Sequence, residues 1–364
     1  MSGDMTLDNG WMPDADQQQL LIALFGPEHD TVAEWQKWRA STELDTIDLG
    51  MQRLIPLLHE RLSDLDLQHG DQGRYRGVHR YWWLRNGKLR LQLAELIAVL
   101  GSAGVDECLI FGGIALIDTV YTSLAARPIN DVDLMIREQD VSVAIGALRQ
   151  IGFRPATCAA AAIESPWLDS LTQRQSGILL RCPDRGNVWL CWTTFGGESD
   201  IEGVWQRAKE HNIGEARVLT FGATDALVQI CIGGIRWSTV RPLWWIADAL
   251  LLMRTHEIDW DLLIDQARRY GLALPLSCAL TYLSATFGAG VPVSALNGLS
   301  ALPVSRRDLE RHRALITRRS DSRWRRAARL LDRYRTHRQV SSKGSLLDFL
   351  RIMRRRSVGP GGAA

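Results

Sequence analysis

The stretch between residues 105 and 193 constrains the fold more than any other part of this chain. A short apolar run at 108–111 stops at a pair of glycines, and a helical segment follows it. A second apolar run at 132–136 leads into a helical segment at 139–151, and two further runs flank a turn at 183–187. Short apolar runs bounded by turn residues are typical of buried strands. The pattern predicts a small mixed sheet with helices packed on it.

The segments on either side of this block have the periodicity of helices. Apolar residues recur at intervals of three and four between residues 16 and 65 and again between 84 and 100. The chain after residue 201 is expected to be helical as far as a turn-rich linker at 288–303. The sequence therefore predicts an α+β protein whose sheet is flanked by helical regions. The predicted divisions are an N-terminal helical region at 1–104, an α/β core at 105–220, a C-terminal helical region at 221–300 and a basic extension at 301–364.

The charge of the chain is unevenly distributed. Its formal net charge is only +2, but residues 305–356 contain 18 Lys and Arg against 5 Asp and Glu, so this end carries +13 and the remainder −11. The simplest interpretation is solvated charge that packs against the acidic body. The functional alternative is an anionic partner for the arginine-rich extension, such as a nucleic acid, an acidic leader peptide or a membrane surface.

Composition and cysteine usage point to a cytoplasmic globular protein. Apolar residues make up 46% and charged residues 23% of the chain, which are ordinary globular values. No apolar stretch approaches the length of a membrane span, and residues 1–19 lack the apolar core of a signal peptide. Six cysteines are scattered without a Cys-x-x-Cys pair, which favours buried reduced thiols over disulfides or a zinc site.

Two motifs in the α/β block carry the candidate chemistry. Gly112 and Gly113 lie between a strand and a helix, where glycine lets the backbone approach a ligand and the helix N-terminus offers unpaired N–H groups to an anion. Asp131 and Asp133 begin the next strand at i and i+2, so both carboxylates lie on one face and can share a divalent cation. A glycine turn and paired carboxylates are the minimum needed to hold a nucleoside triphosphate with Mg²⁺.

Neither motif is specific alone. Asp-x-Asp occurs four times in the chain, and only the pair at 131 and 133 begins an apolar strand after a glycine turn and a helix. A solvated strand start, with Asn130 capping a turn, is the structural alternative for this pair. The combination of both motifs at this spacing is what favours a functional site.

Two charged residues near the motifs have alternative roles. Arg127 precedes the acidic strand and fits either a phosphate contact or an ordinary ion pair. Asp248 has apolar neighbours on a predicted helix, which favours a structural role. We predict that it is the buried partner of an arginine such as Arg236 or Arg241.

The run from residue 109 to residue 153 resembles the signature region of the nucleotidyltransferase-fold superfamily. In particular it is similar to the bacterial uncharacterised nucleotidyltransferase family, whose genes often lie beside those for modified peptide natural products. The positions that match the family pattern, in chain order, are Gly113, Ala115, Leu116, Tyr121, Arg127, Asp131, Asp133, Leu134, Gly152 and Phe153.

The resemblance implies a site and a reaction. Asp131 and Asp133 would be the catalytic metal ligands for Mg²⁺ or Mn²⁺, while Gly112, Gly113 and Arg127 would contact a bound NTP. It implies that a nucleotidyl or related phosphate-linked group moves from the NTP to a small-molecule or ribosomal-peptide acceptor.

Four positions depart from the family pattern. Gly112 stands where lysine is usual, and Gly233 stands where histidine is usual. The later strand normally reads Asp-Leu-His-Trp and supplies a third metal carboxylate, but here it reads Trp-Leu-Cys-Trp from Trp189. The acids nearest in sequence that could replace this carboxylate are Glu164, Asp184 and Glu198.

The departures keep two other interpretations open. The first is a catalytically degraded nucleotidyltransferase fold that binds a nucleotide or a peptide without turnover. The second is a metal-dependent glycosyltransferase, because Asp-x-Asp also binds nucleotide-sugar diphosphates.

Overall fold

In the computed structural model the described residues are 10–156, 176–194, 201–238 and 240–316. Within these ranges four helices precede the sheet: α1 (Ala15–Phe25), α2 (Glu28–Ser41), α3 (Leu49–Asp64) and α4 (Gln72–Ser102). The side chain of Asp14 caps α1 by accepting from the backbone N–H of Gln17, and Asp48 caps α3 by accepting from those of Gly50 and Met51. Each cap satisfies helix N–H groups that have no partner within the helix.

In the part of the chain that the structure describes, a seven-stranded sheet follows these helices. Its strands are β1 (Cys108–Phe111), β2 (Asp131–Ile136), β3 (Arg154–Pro155), β4 (Gly177–Cys182), β5 (Gly186–Cys191), β6 (Lys209–Ile213) and β7 (Ala216–Thr220). The spatial order is β3-β4-β5-β2-β1-β7-β6. Strand β2 runs antiparallel to β1 and parallel to β5, while β1 runs parallel to β7. The mixed sheet with flanking helices confirms the predicted fold class.

Helices also connect the strands and extend beyond them. Helix α5 (Gly112–Thr119) follows β1, α6 (Val141–Gln150) follows β2, and α7 (Ile201–Arg207) precedes β6. The helices after β7 are α8 (Ala223–Gly234), α9 (Trp244–Thr255), α10 (Trp260–Tyr270), α11 (Ala273–Phe287), α12 (Val293–Ser300) and α13 (Arg306–Ile316).

One apolar core joins the flanking helices to the sheet. Leu54 of α3, Leu109 of β1, Val228 of α8 and Leu280 of α11 are all fully buried in the same cluster. Burying a side chain of this size stabilises a fold by about 1.5–3 kcal/mol relative to leaving it exposed. The helices on both sides therefore hold the sheet in place at the edge where the two sequence motifs lie.

Two predictions for the second half of the chain were wrong. The chain after residue 201 is not uniformly helical, because β6 and β7 pair as an antiparallel hairpin. Strand β6 reads Lys-Glu-His-Asn-Ile and lies at the edge of the sheet, so it lacks the apolar alternation by which a strand is recognised. The predicted linker at 288–303 contains α12, which buries only Ala295 and Leu299 and so shows little periodicity.

Several other predictions concern single segments. None of the helices in the described ranges is long and apolar enough to cross a membrane. The cysteines at 108, 182, 191 and 231 are buried free thiols, as predicted, whereas Cys158 lies outside the described residues. Residues 317–364, which include most of the arginine-rich extension and its predicted partner surface, also lie outside them.

Candidate active site

A cavity of about 950 Å³ brings both sequence motifs together. Its walls come from the β1–α5 junction, the start of β2, β5 and the helices α8 and α9. The predicted site residues that line it are Gly112, Gly113, Arg127, Asp131 and Asp133. The volume lies at the upper end of the range for small-molecule sites.

The antiparallel pairing of β1 and β2 places the glycine turn against the acidic strand. Phe111 at the end of β1 lies opposite Asp133, so Gly112 comes directly beside that carboxylate. Gly112 has a φ of +62°, which favours glycine, and a Cβ at this position would overlap the Asp133 carboxylate. The position therefore needs glycine for both its backbone conformation and its contact with Asp133.

The two carboxylates lie on the same face of β2. They alternate with the buried Val132, and Asn187 of β5 donates a hydrogen bond to Oδ1 of Asp131 over 2.7 Å. Burial and the charge of Asp131 raise the pKa of Asp133 to about 7, against the opposing effect of the nearby arginines Arg127 and Arg236. Burial is the larger of the two causes and the repulsion from Asp131 is the smaller, and a bound divalent cation would offset both.

The described residues supply only two of the three expected carboxylates. Trp189 lies directly beside Asp133 in the parallel pairing of β2 and β5, at the position where the resemblance implies a third acid. Asp184 is exposed in the β4–β5 turn and does not line the cavity, and Glu164 and Glu198 lie outside the described ranges. Within those ranges no group of three His, Cys, Asp or Glu could hold a metal ion.

Arg127 is held in a buried network by Asp248. Its Nε and Nη2 donate to the two oxygens of Asp248 over 3.0 and 2.9 Å, and the hydroxyl of Tyr121 donates to Oδ1 of the same carboxylate over 2.6 Å. The guanidinium also donates to the carbonyl of Pro128 over 2.9 Å and lies 4.7 Å from the ring centroid of Trp244. Burial lowers the pKa of Arg127, but the charge and hydrogen bonds of Asp248 outweigh burial and raise this pKa above its ordinary value.

Asp248 is the buried partner of an arginine, as predicted, but that arginine is Arg127 and the predicted choice of Arg236 or Arg241 was wrong. Arg241 pairs with Asp14 over 2.6 Å instead, and Arg236 lies in the wall of the cavity. The two partners, Arg127 and Asp248, come from separate elements 121 positions apart. No local spacing in the sequence could have linked them.

Sequence reasoning missed three cationic residues that line the cavity or lie near its carboxylate pair. Arg236 follows α8 and Lys209 begins β6, and both line the cavity. Arg53 of α3 lies outside the lining, and its pKa is lowered by burial and by Arg127, against the opposing charge of Asp131. Each cation comes from a different element, so only the tertiary structure brings it to the site.

The raised pKa of Asp133 predicts a pH-dependent stability. A carboxyl group whose pKa is raised by folding favours the native state while it is protonated. This contribution is fully present only at a pH below its ordinary pKa of 3.8, and it is lost as the pH rises through about 7. In metal-free buffer we expect the unfolding free energy of wild type to fall by ~1–3 kcal/mol relative to Asp133→Asn between pH 5 and pH 8. Urea unfolding of both proteins at each pH measures this difference, and a constant difference would contradict it.

Comparison with known proteins identifies the family. The sequence profile of the uncharacterised nucleotidyltransferase family matches residues 49–288, about two thirds of the chain. That range runs from α3 through the sheet to the end of α11. No curated protein matches the chain. The chain therefore belongs to the uncharacterised nucleotidyltransferase family, which confirms the resemblance seen in its motifs and supports nucleotidyl transfer in general.

Proposed function

We propose that this chain is a Mg²⁺- or Mn²⁺-dependent nucleotidyltransferase that acts on a small-molecule or ribosomal-peptide acceptor. The supporting observation is the convergence of the glycine turn, the carboxylate pair and several cations in one cavity of about 950 Å³. In the proposed reaction an acceptor oxygen bonds to the α-phosphorus of an NTP as the bond to the bridging oxygen breaks, and pyrophosphate leaves.

Asp131 and Asp133 are the residues that would hold the metal. Their carboxylates lie on one face of β2 and are hard oxygen ligands of the kind that Mg²⁺ prefers, and the repulsion between them favours a cation there. A bound metal would activate the acceptor hydroxyl and stabilise the charge on the departing pyrophosphate. Asn187 holds Asp131 in one orientation through its 2.7 Å hydrogen bond.

The glycine turn and Arg127 would act on the phosphates. Gly112 and Gly113 line the cavity at the start of α5, and N–H groups at this helix N-terminus would face the β- and γ-phosphates. Arg127 lines the same cavity and would add positive charge near the transferred group. Its network with Asp248 and Tyr121 keeps that charge in a fixed place.

Calorimetric titration with each NTP and with UDP-sugars, in the presence and absence of Mg²⁺, tests the proposal. Tight Mg²⁺-dependent NTP binding followed by pyrophosphate release in the presence of acceptor extracts is the expected result. A preference for UDP-sugars would favour the glycosyltransferase interpretation. Absence of NTP binding under all conditions would overturn the proposed function.

A catalytically degraded fold is the second candidate. The observation that favours it is Trp189, whose indole occupies the position beside Asp133 where a third acid is expected. Two carboxylates offer fewer negative ligands than three, so a metal would bind less tightly. This candidate predicts nucleotide or peptide binding without release of pyrophosphate.

Restoring the acid at position 189 distinguishes the two candidates. We expect Trp189→Asp to tighten Mg²⁺ binding about tenfold, because it adds a charged oxygen ligand beside Asp133. Calorimetric Mg²⁺ titration measures this change, and Trp189→Asn is the matched control that removes the indole without adding charge. If wild type is degraded, only the Asp variant should release pyrophosphate. Equal Mg²⁺ affinities for the Asp and Asn variants would contradict the prediction.

A further inference from the structure

The cavity contains an arginine, Arg236, whose side chain forms no hydrogen bond or ion pair with any residue that the structure describes. Arg236 lies on the segment after α8, is exposed and lines the cavity. In the described part of the chain, its guanidinium makes no hydrogen bond or ion pair. Arg127 differs, since three of its N–H groups are bonded to Asp248 and Pro128. Arg236 therefore offers the cavity a guanidinium whose hydrogen-bond donors are available.

The backbone that carries Arg236 is anchored on both sides. The N–H of Arg236 donates to the carbonyl of Gly234 over 2.8 Å, and the N–H of Trp237 donates to the carbonyl of Leu315 in α13 over 2.7 Å. Gly234 lies so close to the ring of Trp245 that a Cβ would overlap it. The segment is thus fixed against α9 and α13, and only the side chain of Arg236 is left to adapt to a ligand.

Opposite charges lie apart in this cavity. Arg236 is close enough to Asp133 to lower the pKa of that carboxyl, but the two groups form no ion pair. The carboxylate pair attracts a cation, and the guanidinium attracts an anion. A ligand that carries a metal ion and phosphate oxygens together satisfies both, with the metal on the carboxylates and the phosphates on Arg236.

We propose that Arg236 binds the phosphate tail of the nucleoside triphosphate in this cavity, while Arg127, fixed by Asp248, supplies positive charge beside the carboxylates. The proposal deepens the proposed function and rests on it for the identity of the ligand. A guanidinium suits this role because its planar fork can donate two parallel hydrogen bonds to one phosphate group. In Arg127, the Nε and Nη2 donors of one side of the guanidinium already bind Asp248.

The first experiment uses inorganic tripolyphosphate in EDTA, so that it measures anion binding without the metal. Arg236→Gln is expected to weaken binding at least tenfold. Arg53→Gln removes a nearby cation that does not line the cavity and should weaken it no more than threefold. Arg306→Gln removes an arginine with a 91% exposed side chain on α13 and should change nothing. The double variant Asp131→Asn/Asp133→Asn should bind tripolyphosphate more tightly, because two negative charges are gone.

The second experiment repeats the titration with ATP and Mg²⁺ and records pyrophosphate release. Weaker ATP binding by Arg236→Gln, with intermediate binding by Arg236→Lys, supports the proposal. If wild type binds ATP in this way but releases no pyrophosphate, the proposal still holds and only the proposed function fails. Binding of both probes by Arg236→Gln within twofold of wild type overturns the proposal and leaves the proposed function standing. Failure of wild type to bind either probe overturns both. Arg236→Gln should unfold with the same thermal midpoint as wild type, which would show that the variant is folded.

Discussion

Replacement of Asp131 or Asp133 with asparagine is expected to lower Mg²⁺-dependent pyrophosphate release at least about a thousandfold. Asparagine has nearly the shape of aspartate but no charge, so the face of β2 would no longer attract a divalent cation. Asp133 is the more informative position, because it lies between Gly112 of the glycine turn and Trp189 of the neighbouring strand. Release of pyrophosphate from each NTP, with and without Mg²⁺, measures the loss.

The chain offers a matched control for this experiment. Asp261 belongs to another Asp-x-Asp pair, is exposed and does not line the cavity, so Asp261→Asn should leave turnover unchanged. Circular dichroism and thermal unfolding should show that Asp131→Asn and Asp133→Asn retain the fold. Asp133→Asn should even gain stability at pH 8 in metal-free buffer, since the charge it removes is disfavoured by burial. Unchanged turnover in both variants would rule out the metal assignment.

The parts of the site that could be predicted from sequence are those encoded locally. The strand that ends at Gly112 and the strand that begins at Asp131 each show as a short apolar run next to polar or glycine residues. The turn at 183–187 correctly predicted the hairpin of β4 and β5. The i, i+2 spacing of the two aspartates places them on one face of any strand, so their shared orientation needed no tertiary information.

The remaining parts depend on contacts between distant segments. The contact between Gly112 and Asp133 follows from the register of β1 against β2, which the sequence pattern did not specify. Arg236 and Lys209 reach the cavity from a segment after α8 and from an edge strand that was itself missed. The partner of Asp248 was misassigned because Arg236 and Arg241 are nearer in sequence than Arg127. Proximity along the chain therefore did not predict which arginine binds the buried carboxylate of Asp248.

The second large effect is expected at Asp248. Asp248→Ala should destabilise the protein by about 3–5 kcal/mol, because it leaves the guanidinium of Arg127 buried without its carboxylate. The hydroxyl of Tyr121 loses its acceptor in the same variant. Urea unfolding measures this loss. The double variant Arg127→Met/Asp248→Leu should cost less than Asp248→Ala alone, since it removes both charges together. A double variant at least as unstable as the single one would contradict this account.

A second ion pair with a buried carboxylate separates loss of stability from loss of site geometry. Asp225 of α8 accepts two hydrogen bonds from Arg207 over 2.8 and 2.9 Å, much as Asp248 accepts from Arg127, but neither Asp225 nor Arg207 lines the cavity. Asp225→Ala should therefore cost a similar free energy of unfolding while leaving nucleotide turnover intact at temperatures where the variant is folded. Asp248→Ala should lose turnover under the same conditions, because Arg127 then lacks the bonds that fix its charge beside the carboxylates. Equal turnover by both variants would show that the Arg127–Asp248 pair serves the fold alone.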